Sequence, residues 1–183
     1  MTLANTCVSF PEIRGANLGV RIATAEDELD AVQALRYRVF YQEMGARPDA
    51  ATTASQRDRD IYDTVADHLL VVDHGLSEGA AGVVGTYRLI QREAAARIGH
   101  FYSADEYDIT KIEANPGRIL ELGRSCVDAP YRSRAVMQLL WRGIAAPVFQ
   151  NKIELMFGCA SPPGTHPHPL APPPSSLHYN HLV

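Results

Sequence analysis

A chain of 183 residues with 46% hydrophobic and 21% charged residues has the composition of one soluble domain with room for a core. A net charge of −4 gives no support to generic nucleic-acid binding. No apolar run reaches the roughly 20 residues a membrane-spanning helix needs, and the first residues lack the basic-then-apolar pattern of a secretory signal.

Residues 1–17 show no periodicity and contain Pro11 and Gly15, so a flexible N-terminal arm is expected. Leu18–Ala23 reads as a first strand. Thr24 is placed to cap a helix whose first turn carries Glu26, Asp27 and Glu28, where the helix dipole favours acids. Leu29, Val32, Leu35, Val39 and Phe40 form its buried stripe, and Gly45 ends it. Arg36 and Arg38 interrupt the apolar end; each is either a solvated side chain or a functional one. Residues 47–66 lack an apolar stripe and read as a long loop with short helical turns, a setting in which function is common. Asp58, Asp60 and Asp63 in it form either a solvated acidic loop or a seat for a cationic substrate.

His68–Asp73 is the second strand and Gly82–Ile90 the third, joined by turn-forming His74–Gly79. Arg88 lies within the third strand, and His68 reads as a strand-start residue rather than a base. Phe101, Tyr102 and Tyr107 are either core aromatics or the wall of an acyl tunnel. A short helix is expected near Ile109–Ala114. The central stretch is Arg118–Arg142. Ile119, Leu120, Leu122, Cys126 and Val127 suit a strand buried on both faces, stopped by Asp128-Ala-Pro130. Ser133 then caps a helix carrying Val136, Leu139, Leu140, Gly143 and Ile144 at helical spacing. Glu121 and Arg124 are charges placed in a buried strand, which is rare unless they are paired or used. Lys152–Gly158 is the fifth strand. Cys7, Cys126 and Cys159 are odd in number and widely spaced, without a disulfide or zinc pattern, so a reducing cytoplasm is the simplest home and the latter two read as small buried apolar residues.

Several motifs resemble, in order across residues 18–161, the bacterial L-ornithine Nα-acyltransferases, hemolysin-like enzymes of ornithine lipid synthesis within the GNAT superfamily. They are Leu35-Arg-Tyr-Arg-Val-Phe-Tyr-Gln-Glu-Met-Gly-Ala46, Asp67-His-Leu-Leu-Val-Val72, Val84-Gly-Thr-Tyr-Arg-Leu89, Phe101-Tyr-Ser-Ala-Asp-Glu-Tyr-Asp108, Glu121-Leu-Gly-Arg-Ser-Cys-Val127, Leu140-Trp-Arg-Gly-Ile144 and Phe157-Gly-Cys-Ala-Ser161. A sparser set, Arg36, Phe40, Asp60, Asp63, Arg88 and Glu121-x2-Arg124, is similar to the acyl-homoserine-lactone synthases.

The resemblance implies an α/β (α+β) fold: a mixed, mostly antiparallel sheet flanked by helices, with the strand carrying Glu121 bulged and splayed from the next. It implies transfer of a 3-hydroxyacyl group to the α-amine of L-ornithine, without metal or bound cofactor. Glu121 would accept the amine proton. Arg124, Arg36 and Arg88 would bind the substrate carboxylate or pair with Glu121, Asp60 and Asp63. Phe40 joins the substrate-binding set, with Asp60 and Asp63 holding the distal ammonium. Cys126, Val127, Phe101 and Tyr102 would contact the acyl thioester, with a backbone N–H at the strand's bulge, near Cys126 or Val127, polarising its carbonyl. The family's glycine-rich turn is replaced by Arg132-Ser-Arg-Ala-Val-Met137. Side chains there obstruct a coenzyme A diphosphate, which favours acyl carrier protein, whose phosphopantetheine arm carries the thioester.

From Pro162 the resemblance stops. Seven of the twelve prolines fall between Pro162 and Pro174, so residues 162–183 are expected to be an irregular tail and the domain to be incomplete at its C-terminus. His166, His168, His178 and His181 in it have no evident scaffold for a metal. Three readings stand: an ornithine N-acyltransferase with peripheral inner-membrane contact, an acyl-homoserine-lactone synthase, or a non-catalytic remnant.

Overall fold

A computed structural model describes residues 10–160; the segments 1–9 and 161–183, including the proline-rich stretch and its histidines, lie outside the described residues. Six strands, β1 (Ile13–Gly15), β2 (Leu18–Ile22), β3 (Asp67–Asp73), β4 (Val83–Gln91), β5 (Ile119–Val127) and β6 (Leu155–Phe157), form one sheet in sequence order. Every neighbouring pair is antiparallel except β5 and β6, which run parallel. The mixed, mostly antiparallel sheet flanked by helices is thus the one expected. Part of the expected arm is strand instead: Ile13 pairs with Val20 in a hairpin too short to show alternation.

The β3 sequence explains its place at the centre. Leu69 and Val71 point into one apolar cluster and Leu70 and Val72 into another, all fully buried. On the first face lies helix α5 (Arg134–Gln150), capped by Ser133 as expected, with Val136, Leu139, Leu140 and Ile144 in the cluster. Gly143 permits this close approach: a Cβ there would stand 2.5 Å from Val20 Cγ2. On the opposite face lies α1 (Glu26–Tyr37), with Val32 and Leu35 against Leu70 and Val72. Its N-cap is Ala25 rather than Thr24, because the Glu28 carboxylate takes the Thr24 and Ala25 backbone N–H groups at 2.8 and 3.2 Å.

The chain between α1 and β3 holds a short helix, α2 (Ala50–Ser55), and a 3₁₀ turn, Ile61–Thr64. Helix α3 (Arg92–Ile98), not foreseen because Ala94-Ala-Ala96 carries no stripe, follows β4. A 3₁₀ turn (Tyr102–Asp105) and α4 (Thr110–Glu113) lead into β5. These pieces cover a third apolar cluster that includes Tyr62, Ile90, Phe101 and Ile119.

Candidate active site

Three local irregularities open a cavity on the α1 side of β5. First, α1 does not stop at Tyr37. It continues as wider π-helical turns, Arg38–Glu43, which bring Phe40 and Tyr41 to the cavity wall before Gly45 (φ +75°) ends the helix. Second, β5 bulges. Thr86 faces Cys126 and Arg88 faces Gly123, so Arg124 and Ser125 together oppose Tyr87. Arg124 has φ +49°, a left-handed conformation normally left to glycine, which is why the bulge was not legible at an arginine. Third, β6 accompanies β5 only along Ile119–Glu121, and beyond that the two strands part. The resulting cavity measures about 940 Å³ and is lined by Phe40, Tyr41, Met44, Tyr102, Ser103, Glu121, the whole run Leu122–Val127, Arg132 and Cys159.

Glu121 is 2% exposed and anchored. Its Oε1 accepts the Ser103 N–H at 2.7 Å and the Ser103 hydroxyl at 2.5 Å, and its Oε2 accepts the Tyr102 N–H at 2.9 Å. The carboxylate thus caps the Tyr102–Asp105 turn. An ionised carboxylate offers roughly four acceptor positions, so one remains on Oε2.

Beside Glu121, three arginines meet three aspartates. Arg36, fully buried, sends two hydrogen bonds to Asp63 at 3.0 and 2.6 Å, lies 2.8 Å from Asp58 Oδ2 and also donates to the Asp58 carbonyl. Arg88, 1% exposed, bonds Asp60 at 2.6 and 2.7 Å and Asp63 at 3.0 Å. Arg124 stands 3.5 Å from Asp58 and 3.7 Å from Asp60. Tyr41 and Gln33 donate to Asp58 and Asp63. Burial alone would raise the Asp63 carboxyl, but Arg36, His68 and Arg88 together hold it well below the usual range. His68, sealed beside this cluster, is pushed down to about 4, chiefly by burial and further by Arg36 and Arg88.

The sequence-derived set therefore divides. Glu121, Arg124, Phe40, Tyr102, Cys126 and Val127 line the cavity. Arg36, Arg88, Asp60 and Asp63 do not; they bind one another behind it, so Asp60 and Asp63 hold guanidinium groups where a substrate ammonium was expected. The alternative kept open for the arginines describes Arg36 and Arg88, except that Glu121 is held by Tyr102 and Ser103. Phe101 is 2% exposed and packs edge-on against Phe157 at 5.1 Å, so it is core rather than tunnel wall. Cys126 is buried as expected, its thiol raised to about 12 by burial, whereas Cys159 is exposed at the cavity. Of the three arginines expected at the substrate, Arg124 is the one at the cavity wall, stacked over Phe40 and Tyr102 at 5.9 and 5.2 Å. Ser103 was missed as a site residue; it sits in the quoted Phe101-Tyr-Ser motif, but nothing local marks a serine as a carboxylate's partner.

The backbone donor was expected at the bulge of this strand, which the structure has at Arg124–Ser125, just before Cys126. Asp128 N–H bonds the Val84 carbonyl, and ladder alternation then turns Val127 away from β4, where its carbonyl accepts from Arg132 Nε at 2.9 Å. Val127 N–H thus faces the gap. It lies six residues from Glu121, however, about 20 Å along a strand, too far for both to meet one reacting carbon. The bulge at Arg124–Ser125, three to four residues from Glu121, is the nearer irregular backbone.

A model of the acetyltransferase (GNAT) domain matches residues 35–142. The chain belongs to the GNAT family. This GNAT chain is 46% identical over 170 residues to the L-ornithine N(alpha)-acyltransferase of Brucella abortus, covering 91% of the chain and 60% of that protein. It is 40% identical over 165 residues to the protein of the same name from Rhodobacter capsulatus, covering 90% and 64%. It thus spans about 60% of the length of the curated relatives it matches. Among solved structures the fold is similar to that of the AHL synthase LasI (TM-score 0.55, 18% identity, 79% of this chain and 72% of that one). It is also similar to FeeM, an N-acyl amino acid synthase from uncultured soil microbes (TM-score 0.53, 15% identity, 76% and 70%). Among the described residues no helix is long and apolar enough to cross a membrane.

Proposed function

We propose that this GNAT domain transfers an acyl group from a thioester to the α-amine of L-ornithine. The observation that carries the reading is Glu121: a buried carboxylate, fixed by three donors, with one acceptor position left at the base of the cleft between β5 and β6. The amine nitrogen attacks the thioester carbon, the C–N bond forms and the C–S bond breaks. The amine proton passes to Glu121, directly or through water, and from there to the departing thiolate. A backbone N–H of the Arg124–Ser125 bulge polarises the carbonyl, and Val127 N–H, farther along, holds an amide of the donor's arm. Arg124, at the cavity wall, receives the amino acid carboxylate. The relatives' printed name supports ornithine as acceptor.

Acyl carrier protein is the donor in this reading. The turn into α5 contains no glycine, and the Arg132 side chain crosses it to Glu43 and the Val127 carbonyl, which leaves little room for a diphosphate. The amphiphilic product favours peripheral contact of a cytoplasmic protein with the inner membrane.

The test is acyl transfer by the 183-residue chain, with 3-hydroxyacyl-acyl carrier protein as donor and ornithine or S-adenosylmethionine as acceptor. Lyso-ornithine lipid is expected. Glu121→Gln should lower kcat by about 10²–10⁴-fold, the usual worth of a general base. Full activity in that folded variant refutes the base, and a product with S-adenosylmethionine alone refutes the acceptor.

A further inference from the structure

With Asp63 and Asp60 committed to Arg36 and Arg88, neither is free to hold the second ammonium of a diamino acid. The acids that line the cavity are Glu121 and Glu106. Glu121 serves the reacting amine. Acids nearby are already engaged. Asp58 is 3% exposed and pairs with Arg36 at 2.8 Å, Glu43 pairs with Arg132, and Asp105 accepts from the Tyr62 hydroxyl at 3.0 Å.

Glu106 differs from all of these. It is exposed, directly follows the Tyr102–Asp105 turn, and is fixed there by its N–H to the Ser103 carbonyl at 3.2 Å. Among the described residues its carboxylate accepts one hydrogen bond, from the Tyr102 hydroxyl at 3.3 Å, and no described cation pairs with it. An ionised carboxylate offers roughly four acceptor positions, so most of them stay open to the cavity.

Tyr102 ties this carboxylate to the rest of the site. Its N–H goes to Glu121 Oε2 at 2.9 Å, its ring carries the Arg124 guanidinium at 5.2 Å, and its hydroxyl reaches Glu106. A base, a guanidinium and a second carboxylate are thus arranged about one side chain. In an extended ornithine the carboxylate carbon and the distal nitrogen stand about 6 Å apart, close to the length of that side chain.

We propose that Glu106 is the specificity residue for the acceptor's side chain, holding the distal ammonium of ornithine while Arg124 takes the carboxylate and Glu121 the α-amine. The proposal rests on the acyl-transfer reading with ornithine as acceptor. A neutral side chain of the same length makes the contacts to Arg124 and Glu121 and leaves Glu106 to water. Because solvent reaches Glu106, the contact discriminates by charge rather than by burial.

The test compares L-ornithine with L-norvaline, which has a hydrogen in place of the distal amino group. Their dissociation constants are measured on the 183-residue chain by isothermal titration calorimetry at neutral pH. The wild-type chain should bind ornithine about fivefold more tightly, the upper worth of an ion pair that water still reaches. Glu106→Gln, at an exposed position that tolerates change, should bring that ratio below twofold, and Glu106→Asp should restore part of it. Circular dichroism verifies that both variants are folded. Equal affinities in the wild type, or an unchanged ratio in Glu106→Gln, overturn the assignment. Acylation is read separately. Transfer to ornithine with a ratio indifferent to Glu106→Gln would remove Glu106 and leave the reaction standing. No transfer, with a binding ratio that Glu106→Gln abolishes, would remove the reaction and leave the ammonium site.

Discussion

The buried ionic cluster makes the sharpest prediction, because it separates a scaffold from a substrate site. Take Arg36→Met, which keeps the side-chain stem and removes the guanidinium. Arg36 is fully buried and supplies two hydrogen bonds to Asp63, one to the Asp58 carbonyl and an ion pair to Asp58. Without it, two carboxylates that are each about 4% exposed lose their nearest countercharge. Breaking a buried pair by removing one partner costs about 3–5 kcal/mol, a large share of the 5–15 kcal/mol typical of a whole domain. Urea unfolding followed by circular dichroism should therefore show an unfolding free energy lowered by that amount, with the midpoint moved down at constant slope. Arg36→Met with Asp63→Leu should recover part of the loss, since a buried Asp63 charge left to Arg88 alone is then removed. A loss below about 1 kcal/mol, together with a large rise in KM for the amine, would refute the scaffold reasoning and return Arg36 to the substrate.

Titration and packing inside the domain give further predictions. His68 is held neutral in the fold and titrates near 4 rather than 6.5, so the unfolded chain binds its proton first as pH falls. Its burial is thus fully tolerated above about pH 6.5, and stability drops by about 3 kcal/mol between there and pH 4; His68→Gln should flatten that limb of a stability–pH curve, and an unchanged limb would assign it elsewhere. Asp63 acts lower: its folded value is depressed, so its contribution is present above the ordinary carboxylate range and is lost only below it. Gly143→Ala would push a methyl against Val20 and Leu69 at 2.5 and 3.0 Å, and thermal unfolding should report a loss of about 1–3 kcal/mol; no loss would mean that α5 stands off the sheet more freely than these distances imply.

Much of the architecture was legible along the chain. The continuous apolar run Leu69–Val72 and the helical spacing of Val136, Leu139, Leu140 and Ile144 are local patterns; the first reports a strand buried on both faces and the second a helix buried on one. So was the membership of the charged set, since arginines and acids inside apolar runs stand out wherever they fall. Pairing was not legible. Arg36 sits on α1, Asp58 and Asp60 in the loop before the Ile61–Thr64 turn, Asp63 within that turn, Arg88 on β4 and Glu121 and Arg124 on β5. Which of them share a pocket depends on which faces of those elements meet, and that is fixed by packing across the sheet.

By itself, then, the sequence determined the strands and helices that carry the core, the residue types at the site and the family resemblance, because these depend on spacing within a few turns or strands. The tertiary structure decided the rest. It turned Arg36, Arg88, Asp60 and Asp63 toward one another, gave Glu121 to Tyr102 and Ser103, placed the bulge at Arg124 and opened the cleft where β6 leaves β5. The physical reason is that a buried charge takes whichever countercharge or N–H the fold brings within about 3 Å, and no stretch of chain encodes a distance to residues several elements away.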